Sequence, residues 1–452
     1  MIRQCVFFMI RLGVASTLAA SASLGGAEDV LPSGPGSGRV VIEPPAAFSG
    51  AEPSGGGNQS ECLFDERPTP QGLVRSQWQR RDGSLEVRVT VPAATTAVVR
   101  LPVGADAEVV ESGRPLASGT AGVRAVSREA DVVVAEVGPG DYFFRCGRAP
   151  GPPSGDAEIG GPAAGSEIVI RTTSRLAGAI DSVEWRGRKL IDSTDHGRQL
   201  QSAANFDVGG VLANETFNPT EAGSMHDALG PTSTSRLLWL WAAGRELRTV
   251  SRMAFWLRPG ETSGGHPAMN TTDLSNHLLE KQVRIGCADL PPPAREQAIC
   301  YDVAFTVPAD EHHTRGTFEA LTGYMPPEFR SFHGVEADGR LVPLTDGPGE
   351  QPLPVIISTA DGSIAMGCRS PDRGHTDGRP PGYGRFWFEG DRVSKWNCVF
   401  REAAAPGERL SPGVYRYRIW VAVGTRENVR ETLLQLVGRQ AAAPRASPGA
   451  GE

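Results

Sequence analysis

The sequence predicts an all-β protein in which a small antiparallel β-sandwich is followed by a much larger β-sandwich and one C-terminal helix. Three observations lead to this prediction. A chain of 452 residues is too long for one compact core. Its 55 glycines and 36 prolines, about a fifth of the residues, favour turns over long helices. Many short segments alternate between apolar and polar residues, which is the period of a half-buried strand.

The charge balance excludes one class of protein. The 45 basic and 52 acidic residues give a net charge of −7. A nucleic-acid-binding surface needs a basic excess, so we expect no nucleic-acid partner.

The first 27 residues are typical of a secretory signal peptide. A short start with Arg3 precedes an apolar stretch interrupted by Arg11, and small residues lead to cleavage sites near Ala22 or Ala27. An uncleaved anchor is the alternative, although no later run reaches the ~20 apolar residues of a spanning helix. We expect a secreted or periplasmic protein with no transmembrane segment beyond the signal peptide.

Composition divides the rest of the chain. Stretches rich in glycine, serine and proline bury too little apolar surface to offset the entropy of ordering them. The predicted domains are a disordered linker at 28–60, a small sandwich at 61–147, a linker at 148–166, a large sandwich at 167–438 and a disordered tail at 439–452.

Six of the seven cysteines lie outside the signal peptide, and this even number suits disulfides in an exported protein. Six cysteines allow fifteen pairings, and their order favours pairing between neighbours. A zinc site is disfavoured because the sequence contains no CxxC or HExxH motif, and we predict no metal or other cofactor. The predicted pairs are Cys62 with Cys146, Cys287 with Cys300, and Cys368 with Cys398.

The small sandwich is predicted from segments such as LEVRVTV at 85–91, AVVRL at 97–101 and DYFFRC at 141–146. The run from Gly72 to Cys146, with VRSQW, VPAATTAVVRLPVGA, ESGRPL, AGVRAV and VGPGDYFF, resembles the C-terminal β-sandwich domain of bacterial alpha-L-rhamnosidases. In those enzymes the catalytic acids lie on a helical barrel. The resemblance therefore implies a carbohydrate-active context and brings no catalytic residues to this chain.

The region after residue 166 repeats the strand pattern in segments such as RLLWLWAAG, ICYDVAFTV and GVYRYRIWVAV. One helix is predicted at its close. Thr425 can cap it and Glu427 lies in its first turn. The apolar face of this helix comprises Val429, Leu433, Leu436 and Val437.

All eight histidines lie between residues 196 and 375. Because histidine exchanges protons near neutral pH, we expect any acid–base chemistry to take place in the large sandwich. The polar stretch from Asp195 to Asp227 reads as a loop over a sheet, where sites commonly lie. A solvated, hydrogen-bonded loop is the alternative. The candidate catalytic residues here are His196, Glu215 and Glu221, and the candidate substrate-binding residues are Arg198, Gln201, Asn205, Asn218 and His226.

A second stretch runs from Ser263 to His277. Its His266-Pro267 pair, followed by Asn270 and another histidine, resembles the acid-histidine segment of galactose mutarotases. The segment from Ala179 to Leu190, with Trp185, resembles the early hairpin of the same family. The family's aromatic pair after the histidine is absent. The resemblance spans about residues 165–437 and implies a galactose-mutarotase-like β-supersandwich, with His266 in the position of the general acid.

A third stretch, from Asp310 to Glu328, contains Glu311, His312 and His313. Neighbouring residues on a strand point to opposite faces, so one histidine at most joins a site. Tyr324 near a histidine is the kind of pair that removes a sugar C5 proton in uronate elimination.

The tryptophans divide into two groups. Trp239 and Trp241 share a strand face and are predicted to lie in the core. Trp387 and Trp396, near Gly/Pro-rich loops, are candidate platforms for a sugar ring.

These features favour an exported glycoside hydrolase or polysaccharide lyase acting on an oligosaccharide or polysaccharide bound over one sheet face. A hydrolase would use a carboxyl pair drawn from Glu215, Glu221 and Glu328. The alternative is a non-catalytic carbohydrate-binding or envelope scaffold protein. The enzyme hypothesis requires a common concavity for His196, Arg198, Glu215, His226 and His266.

Overall fold

The structure is a computed structural model. It describes residues 38–45, 62–81, 84–103, 107–119, 122–129, 132–147, 154–213, 215–287, 290–292, 294–308 and 310–436. The predicted all-β fold class is confirmed, because strands dominate these residues and only one α-helix is longer than a single turn among them. The predicted signal peptide, the C-terminal tail and Val437 lie outside the described residues.

The small sandwich consists of two sheets, with strand orders β1-β5-β9-β8 and β2-β3-β4-β10-β6-β7. Its strands are β1 (Gly38–Ile42), β2 (Cys62–Thr69), β3 (Gly72–Arg81), β4 (Ser84–Val91), β5 (Thr95–Leu101), β6 (Val109–Glu111), β7 (Arg114–Pro115), β8 (Val123–Glu129), β9 (Val132–Val137) and β10 (Gly140–Cys146). The alternation in β4 places Leu85, Val87 and Val89 in a core shared with Trp78 and Phe144.

Two strands lie inside stretches predicted to be linkers. β1 falls within 28–60 and pairs in parallel with β5, because its RVVI segment supplies β-branched residues to an otherwise polar stretch. Residues 157–163, within 148–166, form a strand that pairs with residues 166–172. The glycine and proline content there masked the alternating Ile159, Gly161 and Ala163, which face inward. The remaining domain boundaries stay predictions.

A four-stranded sheet opens the large region, in the order β11-β12-β13-β14. Its strands are β11 (Ala157–Ala163), β12 (Ser166–Thr172), β13 (Ile180–Trp185) and β14 (Arg188–Lys189).

A long sheet follows, with the order β25-β24-β27-β28-β31-β22-β21-β18-β16-β15-β23-β30-β29-β26 and with β17 on β18. Its strands are β15 (Gln201–Phe206), β16 (Pro219–Thr220), β17 (Arg236–Ala243), β18 (Glu246–Phe255), β21 (Leu274–Ile285), β22 (Ala298–Val307), β23 (Arg315–Met325), β24 (Ser331–Val335), β25 (Leu341–Pro343), β26 (Gly349–Gln351), β27 (Val355–Ser358), β28 (Ala365–Arg369), β29 (Gly382–Phe388), β30 (Val393–Ala403) and β31 (Gly413–Gly424). A separate ribbon pairs β19 (Thr262–Ser263) with β20 (His266–Pro267).

The long sheet folds over on itself to make the large sandwich. β30 and β31 are distant along the sheet order, yet the rings of Phe400 and Tyr417 stack with centroids 4.1 Å apart. Phe318 and Tyr415 stack across the same interior, at 5.0 Å. Trp185 of β13 is fully buried in this core.

The predicted C-terminal helix is confirmed as α2 (Arg426–Gln435), which follows a one-turn helix, α1 (Ala294–Gln297). The Thr425 side chain accepts a hydrogen bond from the backbone N–H of Asn428, as expected of a cap. Val429, Leu433 and Leu436 are buried. Within the described part of the chain, neither α-helix has the length and apolar character needed to cross a membrane.

The two sandwiches pack together in one compact unit. Phe143 of β10 is buried against Leu238 and Trp239 of β17, so Trp239 is a core residue as predicted. The Arg145 guanidinium donates to the carbonyl oxygen of Leu238 at 2.6 Å, and Arg88 pairs with Glu280.

One of the three predicted disulfides is present. Cys287 is bonded to Cys300, whereas Cys146, Cys368 and Cys398 are buried free thiols. Pairing of Cys62 with Cys146 is wrong because β3 and β4 lie between their strands. Three inter-strand spacings separate the two backbones by roughly 14 Å, beyond the reach of a disulfide. Cys368 of β28 and Cys398 of β30 both point into the sandwich core, where the structure has the two thiols unbonded.

Candidate functional site

A polar face covers the outer side of four adjacent strands, β15, β23, β30 and β29. Opposed residues of antiparallel strands share a face, and the register sets Tyr324 opposite Lys395, which is opposite Phe386. Because side chains alternate, Trp396 and Phe400 of β30 enter the core while their neighbours face outward. We define the polar face as Gln201, Asn205, Glu319, Tyr324, Phe386, Phe388, Lys395, Asn397 and Arg401 of these strands, together with Glu350 of the adjacent β26.

An ion pair lies at the centre of the polar face. Lys395 Nζ is 2.9 Å from Glu319 Oε1, and the Asn397 amide donates to the same oxygen at 2.5 Å. Burial disfavours the charged form of Glu319, but Lys395 and Asn397 outweigh it and hold the pKa of this carboxyl below its usual value. Burial likewise opposes the charge on Lys395, and Glu319 reverses the effect, so the Lys395 pKa lies above its usual value. Both groups are therefore charged at neutral pH.

Aromatic rings lie beside this ion pair. Lys395 Nζ is 5.2 Å from the centroid of the Tyr324 ring and 5.6 Å from that of Phe386. Burial, with a further contribution from Glu319, raises the pKa of the Tyr324 hydroxyl, which therefore stays protonated. The Tyr324 ring stacks on Phe388 with centroids 6.4 Å apart, and Phe388 is 38% exposed.

A second ion pair extends the face. Arg401 forms two hydrogen bonds to the carboxylate of Glu350, at 2.6 and 2.8 Å. Its side chain is 57% exposed, so donors of its guanidinium remain accessible to a ligand.

The loop at 192–198 borders this face, since the backbone N–H of Asp192 donates to the carbonyl of Tyr324 at 2.8 Å. Arg198 in this loop lies 3.0 Å from Asp195, 2.7 Å from Asp391 and 3.8 Å from Asp192. Three carboxylates already neutralise this guanidinium, which leaves little positive charge for an anionic sugar.

Three of the candidate binding residues hold loops with their amides. Gln201 donates to the carbonyl of Gly197 and accepts from the N–H of Ala222. Asn205, also on the polar face, donates to the carbonyl of Ala213 at 3.1 Å. Asn218 donates to the carbonyl of Ala204.

Two of the candidate catalytic residues are buried. Both ring nitrogens of His196 face backbone carbonyl oxygens, those of Ala228 at 2.8 Å and Arg175 at 3.0 Å. Glu221 is fully buried, pairs with the equally buried Lys281 and accepts a hydrogen bond from the N–H of Ser202. In this structure neither side chain can reach a ligand at the surface.

The other candidate acids and histidines lie on exposed loops around β19 and β20. Glu215 accepts from the hydroxyl of Ser263 at 2.6 Å, and the register sets Ser263 opposite the exposed His266. His226 pairs with Glu261. In the described residues no hydrogen bond or ion pair joins any two of His196, Arg198, Glu215, His226 and His266, which the enzyme hypothesis needs in one concavity.

The two tryptophans predicted as sugar platforms have limited access. Trp396 is fully buried in the core, so its ring cannot stack on a sugar in this structure. Trp387 is partly buried, and the Arg330 guanidinium lies over its ring at 4.0 Å. The exposed ring on this strand is its neighbour, Phe388.

Sequence reasoning missed Phe388, Lys395, Asn397 and Arg401. A signal was present, because polar residues alternate with aromatic residues from Lys395 to Asn397. The partner of Lys395 could not be predicted from the sequence. Glu319 lies 76 residues earlier, and the two side chains come together only because β23 pairs with β30.

Residues 30–115 match the sequence profile of the bacterial alpha-L-rhamnosidase C-terminal domain. The predicted resemblance of the small sandwich to this domain is thereby confirmed, with bounds that begin and end earlier than the predicted 72–146. A search of curated protein sequences finds no match to the chain.

Several solved structures resemble the chain. A putative aldose 1-epimerase from Klebsiella pneumoniae is 11% identical, covering 64% of this chain and 88% of that protein, with a TM-score of 0.31. A putative mutarotase from Salmonella typhimurium is 8% identical, covering 58% and 91%, with a TM-score of 0.26. An alpha-galactosidase from Lactobacillus brevis is 9% identical, with a TM-score of 0.33; the match covers 62% of this chain and 40% of the galactosidase. With TM-scores this low, these similarities support no inference about the site.

Proposed function

We propose that this chain is an exported carbohydrate-binding protein that holds a glycan across the polar face of its large sandwich. The observation that carries the proposal is the exposed Phe388 ring on the same face as the Glu319–Lys395 ion pair. A sugar presents an apolar ring face and a rim of hydroxyls. The Phe388 ring and the nearby Glu319 carboxylate provide partners for both. Arg401 lies eight residues along β30 from Val393, the residue paired with Phe388, and extends the polar face for a longer glycan.

The charge states favour binding over hydrolysis. A glycosidase needs one carboxyl that stays protonated near neutral pH, which requires a raised pKa. On the polar face, Lys395 lowers the pKa of Glu319 and Arg401 binds Glu350 at both oxygens. Of the three hydrolase candidates, Glu221 is paired with Lys281 and Glu328 with Arg188, whereas Glu215 lies on an exposed loop and accepts a hydrogen bond from Ser263.

The same argument weakens the lyase hypothesis. Elimination from a uronate needs a base and a free positive charge to neutralise the sugar carboxylate. Burial raises the pKa of Tyr324, and Arg198 is bound by three aspartates.

Export is part of the proposal. The disulfide between Cys287 and Cys300 supports it, because disulfides persist in oxidising compartments such as the periplasm and the extracellular space. The match of residues 30–115 to a rhamnosidase domain supports the carbohydrate part.

Affinity electrophoresis of the purified protein through gels containing a panel of neutral and acidic polysaccharides tests the proposal. At least one polysaccharide is expected to retard the wild-type chain, and Phe388→Ala to restore its mobility. The matched control is Leu229→Ala, which removes a more exposed apolar side chain from a loop outside the four strands. Retardation by no polysaccharide, or equal loss in both variants, would refute the proposal.

Measuring the release of sugar products distinguishes the carbohydrate-binding hypothesis from the enzyme hypothesis. The same panel is incubated with the wild-type protein and assayed for reducing ends and unsaturated products, with Glu215→Ala and His266→Ala as controls. The proposal predicts no product above the blank. Product that either substitution abolishes would establish the enzyme hypothesis instead.

A further inference from the structure

Outside the polar face, three potential metal ligands meet at one end of the large sandwich. His277 lies on β21 and points into the sandwich, whereas Glu311 and His313 lie on the loop between β22 and β23. Glu311 Oε2 is 2.8 Å from Nε2 of each histidine. The three ligating atoms all lie within 4.8 Å of one another. Both histidine side chains are only 3% exposed.

The hydrogen bonds of His313 prepare it to bind a metal. Its Nδ1 is 2.6 Å from the backbone carbonyl oxygen of Asp207, so Nδ1 carries the hydrogen. The lone pair of the neutral ring is then on Nε2, which faces Glu311. A histidine held through one nitrogen by a carbonyl while the other nitrogen binds is the usual arrangement around protein-bound metals.

Asp207 also fixes the loop that carries these ligands. Its carboxylate accepts hydrogen bonds from the hydroxyl of Thr314 at 2.6 Å and from the N–H groups of Thr314 and Arg315 at 2.7 and 2.6 Å. One residue thus orients the imidazole of His313 and the backbone that follows it.

Aromatic packing restricts the two imidazoles further. The Phe206 ring stacks on His277 with centroids 4.9 Å apart and on His313 at 4.7 Å. The ring centroid of Phe217 lies 5.1 Å from that of His313. These rings exclude water on the inner side, and Glu311, at 16% exposed, provides the opening to solvent.

We propose that His277, Glu311 and His313 form a binding site for zinc. Two imidazole nitrogens and one carboxylate are a typical zinc ligand set, which leaves a fourth position for water or another ligand. Calcium and magnesium prefer all-oxygen ligands and fit this set poorly. Without a metal, the Nε2–H groups of the histidines would donate to the carboxylate instead, and the experiment separates the metal-bound site from this hydrogen-bonded one.

The test measures zinc on the full-length protein after treatment with a chelator and dialysis. Titration with zinc is expected to give one tight equivalent per chain by calorimetry and elemental analysis, and to raise the melting temperature. Cobalt at the same site is expected to give visible absorption bands of a four-coordinate ion. His313→Ala should abolish the tight equivalent and the cobalt bands.

The matched control is His312→Ala, since His312 is the exposed neighbouring histidine and pairs with Arg409. It should bind zinc like the wild type. If His313→Ala does not fold, zinc binding is measured on Glu311→Gln instead. This substitution keeps the size of the side chain and removes its charge. We expect it to bind zinc at least tenfold more weakly than the wild type. No tight equivalent in the wild type would overturn the proposal, as would binding unchanged in Glu311→Gln.

Discussion

At the scale of single residues, one ion pair of the large sandwich is completely buried. Glu221 and Lys281 are both fully buried, and Lys281 also donates to the carbonyl oxygen of Gly178 at 2.5 Å. Burial lowers the pKa of Lys281, and Glu221 opposes this effect. The sequence placed Glu221 among catalytic candidates because it lies in a polar stretch, and no local pattern reveals a partner 60 residues away.

Removing one member of this pair should destabilise the protein strongly. Lys281→Met leaves a buried carboxylate unpaired, and we expect a loss of about 3–5 kcal/mol in the free energy of unfolding by urea titration. The double variant Glu221→Gln/Lys281→Met should recover part of this loss. Arg188→Met, which breaks the exposed pair with Glu328, serves as the control and should cost about 1 kcal/mol or less. Similar losses in Lys281→Met and Arg188→Met would show that the buried pair has no special role.

The ion pair of the polar face predicts a pH dependence of stability. The pKa of Glu319 in the folded protein lies below its value in the unfolded chain, which is ~4.3. Its contribution is therefore fully present above about pH 4.3 and is lost as the pH falls through the lower folded pKa. Urea unfolding between pH 6 and pH 3 should show a shallower decline for Glu319→Gln than for the wild type. Parallel curves would contradict this account of Glu319.

At the scale of single elements, strands and helices could be predicted where local patterns decide them. The alternation in β4 and the Thr425 cap of α2 are local signals, and the structure has both. The failed Cys62–Cys146 disulfide and the missed Glu319–Lys395 pair depend instead on which strands are neighbours. Strand order is set by long-range packing. Neither the alternation of apolar residues along one strand nor the spacing of motifs in the sequence indicates which strands will be neighbours.

The cap of α2 gives a prediction at this scale. Thr425→Ala removes the acceptor of the Asn428 N–H, at 3.2 Å, and should lower the free energy of unfolding by about 1 kcal/mol. Thr425→Ser keeps the hydroxyl and should change little. Chemical denaturation of the three proteins side by side measures both effects; a Ser variant as unstable as the Ala variant would show that the hydroxyl is not the stabilising group.

At the scale of the whole molecule, the two sandwiches should unfold together. Phe143 is 2% exposed and packs against Leu238, Trp239 and Val250 of the large sandwich. We expect one calorimetric transition for the wild type. Phe143→Ala should cost about 3–5 kcal/mol, whereas Phe388→Ala, which truncates a partly exposed phenyl group, should cost much less. Two well-separated transitions in the wild type would contradict this coupling.

Among the described residues, the small sandwich contacts the large one at β17, β18, β21 and β31, and the polar face lies on other strands. The sequence predicted a glycan over one sheet face, and of the predicted site residues Gln201, Asn205 and Tyr324 lie on the polar face. The face itself is assembled from β15, β23 and the consecutive pair β29 and β30, which lie far apart in the chain.

The most direct test is calorimetric titration of the best-retained glycan into the wild type, Phe388→Ala and Leu229→Ala. Loss of the Phe388 ring should cost about 1.5 kcal/mol, or roughly a tenfold higher Kd. Leu229→Ala should bind like the wild type. Equal affinity in all three proteins would contradict the assignment of glycan binding to the polar face.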